Sequence, residues 1–288
     1  MPTKTPRVSV LTPIYNTNPV HLRECIESIL NQTYTDFEFL ILNDSPDNKE
    51  IEKIVLEYAS RDKRIKYSKN DKNMGISISR NKLLQMARGE YLAIFDHDDI
   101  SIPTRLEQEV NYLDEHPYIG AVSSWVQEMF DDGTILMLKH PEKDMDIRIW
   151  LMRNNYFAHT ACMLRKSVLD ENNIHYQGYY SPAEDYKLVS DLIEVTELYN
   201  IQEALVKYRC SPENTSNKQS EKMCYVADCI TTELRNKYPE YWKLCIKTGV
   251  YQETTFRLRL FGKIPLIKIK NNWVYLFEFI PVLKIRWN

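Results

Sequence analysis

EYLAIFDHDD, residues 90–99, is the stretch that decides the fold. Tyr91 to Phe95 form an unbroken apolar run of strand length, and the run ends in Asp96, Asp98 and Asp99. A strand apolar on both faces belongs in the middle of a parallel sheet covered by helices. Upstream, RVSVLTP (7–13) alternates and is β-branched, FEFLILND (37–44) is a more continuously apolar strand, and RIKYS (64–68) is a shorter one. Between the first two, Val20, Leu22, Cys25, Ile26, Ile29 and Leu30 recur at helical spacing behind Pro19, which suits a first helical turn. Ile51, Ile54, Val55 and Tyr58 mark a second helix over 48–60. A third is expected over 76–88 with Gly89 as its C-cap, and a fourth over 103–116, opened by Pro103. Alternating strands and helices predict right-handed crossovers and a mostly parallel α/β sheet. Ligands of such sheets sit beyond the carboxyl ends of the strands. Polar groups stand at those ends here: Asn16, then Asn43 and Asp44, then the acidic cluster.

Past residue 118 the pattern changes. IGAVSSWVQEMF (119–130) and TILMLK (134–139) flank Asp131-Asp132-Gly133, a hairpin signal. A helix over 144–154, a strand through FAHTACMLR (157–165) and a helix over 183–193 are expected next. EVTELY (194–199) and EALVKYR (203–209) read as two strands, and 220–247 as mostly helical. The 288 residues, 43% hydrophobic and 27% charged, exclude intrinsic disorder. No apolar run reaches membrane-spanning length, and Met1 to Arg7 lack the apolar core of a secretory signal. A net charge of −3 argues against a general nucleic-acid binder. Only seven glycines are present and none builds GxGxxG or a Walker A loop, so glycine-cradled nucleotide sites are excluded. The six cysteines include no CxxC pair, which predicts reduced thiols and a cytoplasmic protein.

Three carboxylates within four residues repel one another unless a cation or hydrogen-bond donors compensate. Hard oxygen ligands select Mg²⁺ or Mn²⁺, and such ions are held by one or two carboxylates completed by substrate phosphates. The plainer reading is that Asp98 or Asp99 caps the helix near Pro103.

At this point the sequence resembles the family 2 glycosyltransferases of GT-A fold, a Rossmann-like, mostly parallel sheet flanked by helices. The family's strand-P-x-Y-N opening stands as VSVLTPIYN (8–16), and its S-x-x-N-Q-T helix end as SILNQT (28–33). Its N-x-G and Arg-Asn pair stand as Asn73-Met74-Gly75 and Arg80-Asn81, its D-x-D-D as Asp96 to Asp99, and its E-D as Glu184-Asp185 within SPAEDYKL. The resemblance implies that Pro13, Tyr15, Asn16, Asp44 and Arg80 bind the nucleotide sugar, with Tyr15 at the base and Arg80 facing the nucleotide or its diphosphate. It implies that Asp96 contacts the ribose, that Asp98, helped by Asp96, holds Mn²⁺ or Mg²⁺, and that Asp99 lies close to donor sugar or acceptor. Asp185 is then the catalytic base, Glu184 orients the site, and His159 is a candidate acceptor contact; His97 is given no role. The implied reaction is inverting transfer of a single GlcNAc-, Gal- or Glc-type sugar from a UDP-type donor to a glycan or lipid-linked oligosaccharide of the bacterial surface, such as lipopolysaccharide or capsule. Two features depart from the family. Tyr208-Arg209 is followed by Cys210-Ser211 rather than a nearby His, and Arg286-Trp287 lacks the rest of QxxRW, which implies a non-processive enzyme. A sugar-nucleotidyltransferase or a silent nucleotide-binding protein are the alternatives; the first expects a glycine-rich loop where TPIYNTN has none.

The domain expectation is a catalytic domain over 1–255, with a nucleotide half over 1–118 and an acceptor half over 119–255, followed by a tail over 256–288. LFGKIPLIKIK (260–270) and LFEFIPVLKIR (276–286) repeat at an offset of sixteen. The tail carries seven cations, Arg257, Arg259, Lys263, Lys268, Lys270, Lys284 and Arg286, against Glu278, a balance of +6. Its Pro residues argue against a single long helix, and its interleaved aromatics suit an anionic membrane surface. The plainer reading is a final hairpin or helix pair packed on the body. The expected location is therefore peripheral, on the inner face of the cytoplasmic membrane.

Overall fold

The structure is a computed structural model. It describes residues 5–211, 214 and 218–250, together with the backbone strands over 255–260, 264–270, 273–276 and 280–284. Strands β1 (Val8–Ile14) and β2 (Phe37–Asn43) are buried at every position, and their polar members Ser9, Thr12, Glu38 and Asn43 are hydrogen-bonded within the fold. They pair in parallel, β1 also pairs in parallel with β4 (Tyr91–Ile94), and β2 with β3 (Ile65–Lys69). The crossovers are helices α1 (Pro19–Leu30), α2 (Lys49–Arg61) and α3 (Ile76–Met86). Asn18 caps α1 through its side chain and Pro19 occupies the first turn; Asn48 caps α2 by the same device.

Gly89 is not a helix cap. Helix α3 ends at Ala87, and a Cβ on Gly89 would lie 2.6 Å from the Ser9 amide nitrogen, so the glycine lets the chain press against β1 as it enters β4. Nor does an acidic residue cap the next helix. A short strand, β5 (Ile100–Ser101), intervenes, and α4 (Arg105–Glu115) starts after Thr104.

Beyond β4 the sheet turns mixed, in the order β3-β2-β1-β4-β8-β6-β9-β5. The long β6 (Ile119–Phe130) folds back through Gly133, at φ +85°, onto β7 (Ile135–Leu138) as the hairpin signal predicts. The strand expected over 157–165 shrinks to β8 (Met163–Arg165), because His159–Ala161 wind into a short 3₁₀ turn. The two strands expected over 194–209 are one, β9 (Glu197–Cys210), parallel to β6 and kept in step by register shifts at Ser124–Val126. Helices α5 (Asp144–Leu151), α6 (Lys166–Asn172) and α7 (Glu184–Leu192) cover this half, and α8 (Ser220–Lys237) and α9 (Pro239–Lys247) follow β9. None of the described helices is long and apolar enough to cross a membrane.

The chain separates into two compact units, residues 1–241 and 242–288. The second contains a four-stranded antiparallel sheet, β10 (Thr255–Leu260), β11 (Ile264–Lys270), β12 (Trp273–Leu276) and β13 (Ile280–Lys284). The sequence repeat becomes two equivalent hairpins. The irregularity at Leu258/Arg259 recurs at Val274/Tyr275, and Arg259 opposite Pro265 recurs as Tyr275 opposite Pro281. Proline cannot donate to a ladder, which explains why each copy bulges there. Lys263, Glu278, Arg286 and Trp287 lie outside the described residues.

Candidate active site

The carboxyl ends of β1, β2 and β4 gather the first group. Pro13 is buried inside β1 opposite Leu42, so it shapes the strand and does not face the opening. Tyr15, just past the strand, is 49% exposed; it is no core aromatic. Asn16 adopts a positive φ of 44°, turning the chain so that its amide donates to Ser45 Oγ at 3.1 Å. Asp44 is buried and heavily engaged. Its Oδ1 accepts from Asn70 Nδ2 at 2.6 Å and the Met74 amide at 2.8 Å, and its Oδ2 from the Gly75 amide at 2.9 Å. It therefore latches the Asn73-Met74-Gly75 loop, which needs Gly75 at φ +86°, to the end of β2.

Arg80, on α3, joins the two acidic motifs. Its guanidinium donates to Asp96 Oδ1 at 2.9 Å and to Glu184 Oε1 at 2.8 Å, over the face of Tyr176. Burial lifts the Asp96 carboxyl, but the Arg80 charge and hydrogen bond together with the neighbouring His159 and His97 outweigh it and hold Asp96 below the usual carboxylate value. Arg80 Nε and Glu184 Oε2 are buried without partners. Unsatisfied charged atoms this deep are costly unless a ligand completes them.

The three aspartates separate sharply. Asp99 is fully buried, accepting from Thr160 Oγ1 at 2.6 Å and from the Arg209 amide at 2.9 Å. The expectation that Asp99 touches donor sugar or acceptor is therefore corrected: it anchors the loop to β9 and the 160 turn. Burial and its acidic neighbours push its carboxyl up. Asp98 is partly open, and Arg209 Nε holds its carbonyl oxygen at 2.9 Å. No described donor reaches the Asp98 carboxylate within hydrogen-bonding distance, and the nearest cationic-capable atom is the orphaned His97 Nδ1, 3.8 Å from Oδ1. Such an oxygen and nitrogen fit a divalent cation completed by phosphate oxygens. Among the described residues no three His, Cys, Asp or Glu side chains converge as a closed metal cage. The Cys210 thiol, pushed up to about 11 by burial, keeps its proton.

Asp185 stands at the start of α7, beside Glu184. Its Oδ2 accepts from Asn155 Nδ2 at 3.2 Å, while Asn155 Oδ1 is fixed by the Phe157 amide at 3.1 Å. Burial first, then the Glu184 charge, raise the Asp185 carboxyl to about 6; Arg80 pulls the other way. His159 does not face an acceptor opening. It is buried, its Nε2 meets Tyr176 Oη at 2.8 Å, and burial with Arg80 lowers it to about 3, so the ring is neutral and structural. Thr160, Tyr176, Asn155 and Arg209 act in this site without having stood out in the sequence as site residues. Only Arg209 had a local marker, its place in the late Tyr-Arg pair.

A separate cleft of about 710 Å³, lined by Arg7, Arg88, Gly89 and Lys166 among others, lies at the amino ends of β1 and β4. Its arginines are already paired, Arg7 with Glu90 and Asp114, Arg88 with Glu38.

The sequence model described as glycosyl transferase family 2 matches residues 9–172. An uncharacterised glycosyltransferase of Methanocaldococcus jannaschii is 37% identical over 81% of this chain and 81% of its own length. The O-antigen biosynthesis glycosyltransferase WbnJ of Escherichia coli is 30% identical over 73% of this chain and 81% of its own. The fold matches that of Staphylococcus aureus TarS, residues 1–349, in complex with UDP-GlcNAc, at a TM-score of 0.61 and 20% identity over 80% of this chain and 67% of that one. With the motif order, the mixed sheet and the paired carboxylates in agreement, the chain belongs to glycosyl transferase family 2.

Proposed function

We propose that the protein transfers one sugar, with inversion, from a UDP-type donor to a hydroxyl of a bacterial surface glycan, without processive elongation. The observation that carries this reading is the Asp96–Arg80–Glu184 bridge, which ties the acidic loop at the donor side to the element bearing Asp185. Asp185, raised to about 6, is ionised at neutral pH yet basic enough to take the acceptor proton. As that proton moves to Asp185, the acceptor oxygen bonds to the anomeric carbon from the face opposite the donor phosphate. The carbon–oxygen bond to the diphosphate breaks, and the nucleoside diphosphate leaves. One base and one displacement give inversion. Asp98 would hold a divalent cation, which when bound would neutralise the charge developing on the diphosphate. Exposed Tyr15 offers its ring to the nucleobase. WbnJ, named for O-antigen biosynthesis, supports a surface-glycan acceptor, and TarS in complex with UDP-GlcNAc supports a UDP-linked donor.

A panel of nucleotide sugars tests this, each with Mn²⁺ or Mg²⁺, read as melting temperature and as sugar transfer. A UDP-sugar should raise the melting temperature with its excess over Kd. Stabilisation without transfer to any glycan acceptor would mark a silent nucleotide-binding protein.

The second unit supports work at a membrane surface. In its register Arg257, Lys268 and Tyr275 share one row, and Phe256, Ile269, Val274 and Leu283 the adjacent one. Rows that alternate in this way are the pattern expected of a sheet that works at an anionic membrane surface. The full chain should float with anionic liposomes, and Lys268→Glu with Lys270→Glu should abolish flotation; unchanged flotation would remove the membrane from the reading.

A further inference from the structure

We propose that His97 is a direct ligand, together with Asp98, of the divalent cation in the donor site, and that its nitrogen makes the site prefer Mn²⁺ to Mg²⁺. The inference rests on the reading of residues 96–98 as the donor-phosphate site. Asp96 has Arg80, and Asp99 has Thr160 and the Arg209 amide. Asp98 alone keeps a carboxylate that no described donor approaches within hydrogen-bonding distance. The one other unsatisfied polar atom of the loop is His97 Nδ1, shut off from solvent and without a partner. These two atoms are 3.8 Å apart, beyond hydrogen-bond reach.

With metal–ligand bonds of about 2.1 Å, adjacent ligand atoms of an octahedron lie about 3.0 Å apart, so binding one ion draws this 3.8 Å pair together, through rotation of an Asp98 carboxylate that no described donor holds. The loop also fixes its own backbone around the pair. Arg209 Nε holds the Asp98 carbonyl and Thr160 Oγ1 holds the Asp96 amide at 3.2 Å, so His97 and Asp98 are presented from a segment clamped at both ends. Neutral imidazole with its proton on Nε2 leaves the Nδ1 lone pair free to bind. Nitrogen beside oxygen favours a transition-metal ion, whereas Mg²⁺ takes an all-oxygen shell. The remaining positions fall to diphosphate oxygens and water.

Pulsed electron paramagnetic resonance on the full chain with Mn²⁺ and UDP tests the assignment without any turnover. Wild type should show modulation from a directly bound nitrogen, and His97→Gln should lose it. Mn²⁺ affinity should fall at least about tenfold in H97Q, while Mg²⁺ affinity, read by competition, should change less than about threefold. Asp98→Asn should weaken both ions. Mn²⁺ bound with UDP but lacking nitrogen modulation, or modulation that survives in H97Q, would overturn the ligand and leave the donor-site reading standing. Failure of wild type to bind either Mn²⁺ or UDP would overturn both.

Discussion

Replacing Asp185 with Asn should abolish transfer and make the protein more stable, and the two effects have one cause. Burial and the adjacent Glu184 raise the Asp185 carboxyl from 3.8 to about 6 in the folded chain. A group whose folded value is raised contributes stability fully below its unfolded value and loses it as pH rises through the folded one. The wild type should therefore pay for an ionised Asp185 above about pH 6. A shift of about two units corresponds to roughly 3 kcal/mol, and because the carboxylate is partly open to solvent the measured penalty should fall between about 1 and 3 kcal/mol. Asn keeps the shape and loses the charge. For a domain of this size that gain raises the melting temperature by about 2–4 °C per kcal/mol. The assay is a pair of melting curves, wild type and D185N, at several pH values, alongside transfer to a glycan acceptor. Expected are curves that coincide near pH 4 and diverge up to about pH 8, with transfer lost throughout in D185N. Below about pH 6 the wild-type rate should fall roughly tenfold per unit as the base protonates. A D185N protein no more stable than wild type at about pH 8, or one that still transfers sugar, would refute the reasoning.

Four further outcomes follow from the site and the core. Asn155→Ala removes a donor that favours ionised Asp185, so the acidic limb of the pH–rate profile should move upward by about half a unit to one unit, seen in kcat against pH. Gly89→Ala drives a Cβ to 2.6 Å from the Ser9 amide and should cost on the order of 1–3 kcal/mol in a urea melt, with the active site unchanged in nucleotide affinity. Arg105 and Glu109 are a fully buried pair, Arg105 also holding the Ile94 and Cys162 carbonyls; Arg105→Met should cost about 3–5 kcal/mol by stranding Glu109. Glu109, raised to about 7 by burial, should make wild-type stability decline as pH passes that value, and Glu109→Gln should flatten the decline.

The parallel half of the fold was legible because its signals are local. Predominantly apolar stretches of strand length mark central strands, and β1, β2 and β4 are buried throughout, Ser9 and Glu38 by bonding to each other. The mixed half was harder for a physical reason. Whether 194–209 is two strands or one depends on whether β6 stays alongside, and register shifts at Ser124–Val126 keep it there; no residue of β9 announces that. Gly89 misled because a glycine after a helix is usually a cap, whereas this one is required by the approach of a strand eighty residues away in sequence. In the site, the order of motifs marks Asp96, Asp98, Asp99, Glu184 and Asp185 as candidates and the resemblance implies a role for each, but the burial of Asp99 is not legible in the sequence. Asp98 and Asp99 are neighbours of identical chemistry. Only the positions of Thr160 and the Arg209 amide decide that one is an anchor and the other open.

Arg80 sets the other carboxylates of the site apart. Asp96, Glu184 and Asp185 would form a buried acidic group, and Coulomb repulsion in a poorly solvated pocket would drive at least one to keep its proton. A guanidinium can satisfy two carboxylates at once because its donors diverge in a plane; Lys offers a point charge and would leave one unmatched. In the geometry here, NH1 takes Glu184 and NH2 takes Asp96, while the Tyr176 face supports the plane from one side. Asp185, outside the fork, receives only part of the compensation and is the carboxylate left with a raised pKa. The same arginine therefore keeps Asp96 charged at the donor side and leaves Asp185 basic at the acceptor side. Its own buried Nε and Glu184 Oε2 lack partners among the described residues, a cost that stands unless a ligand completes them.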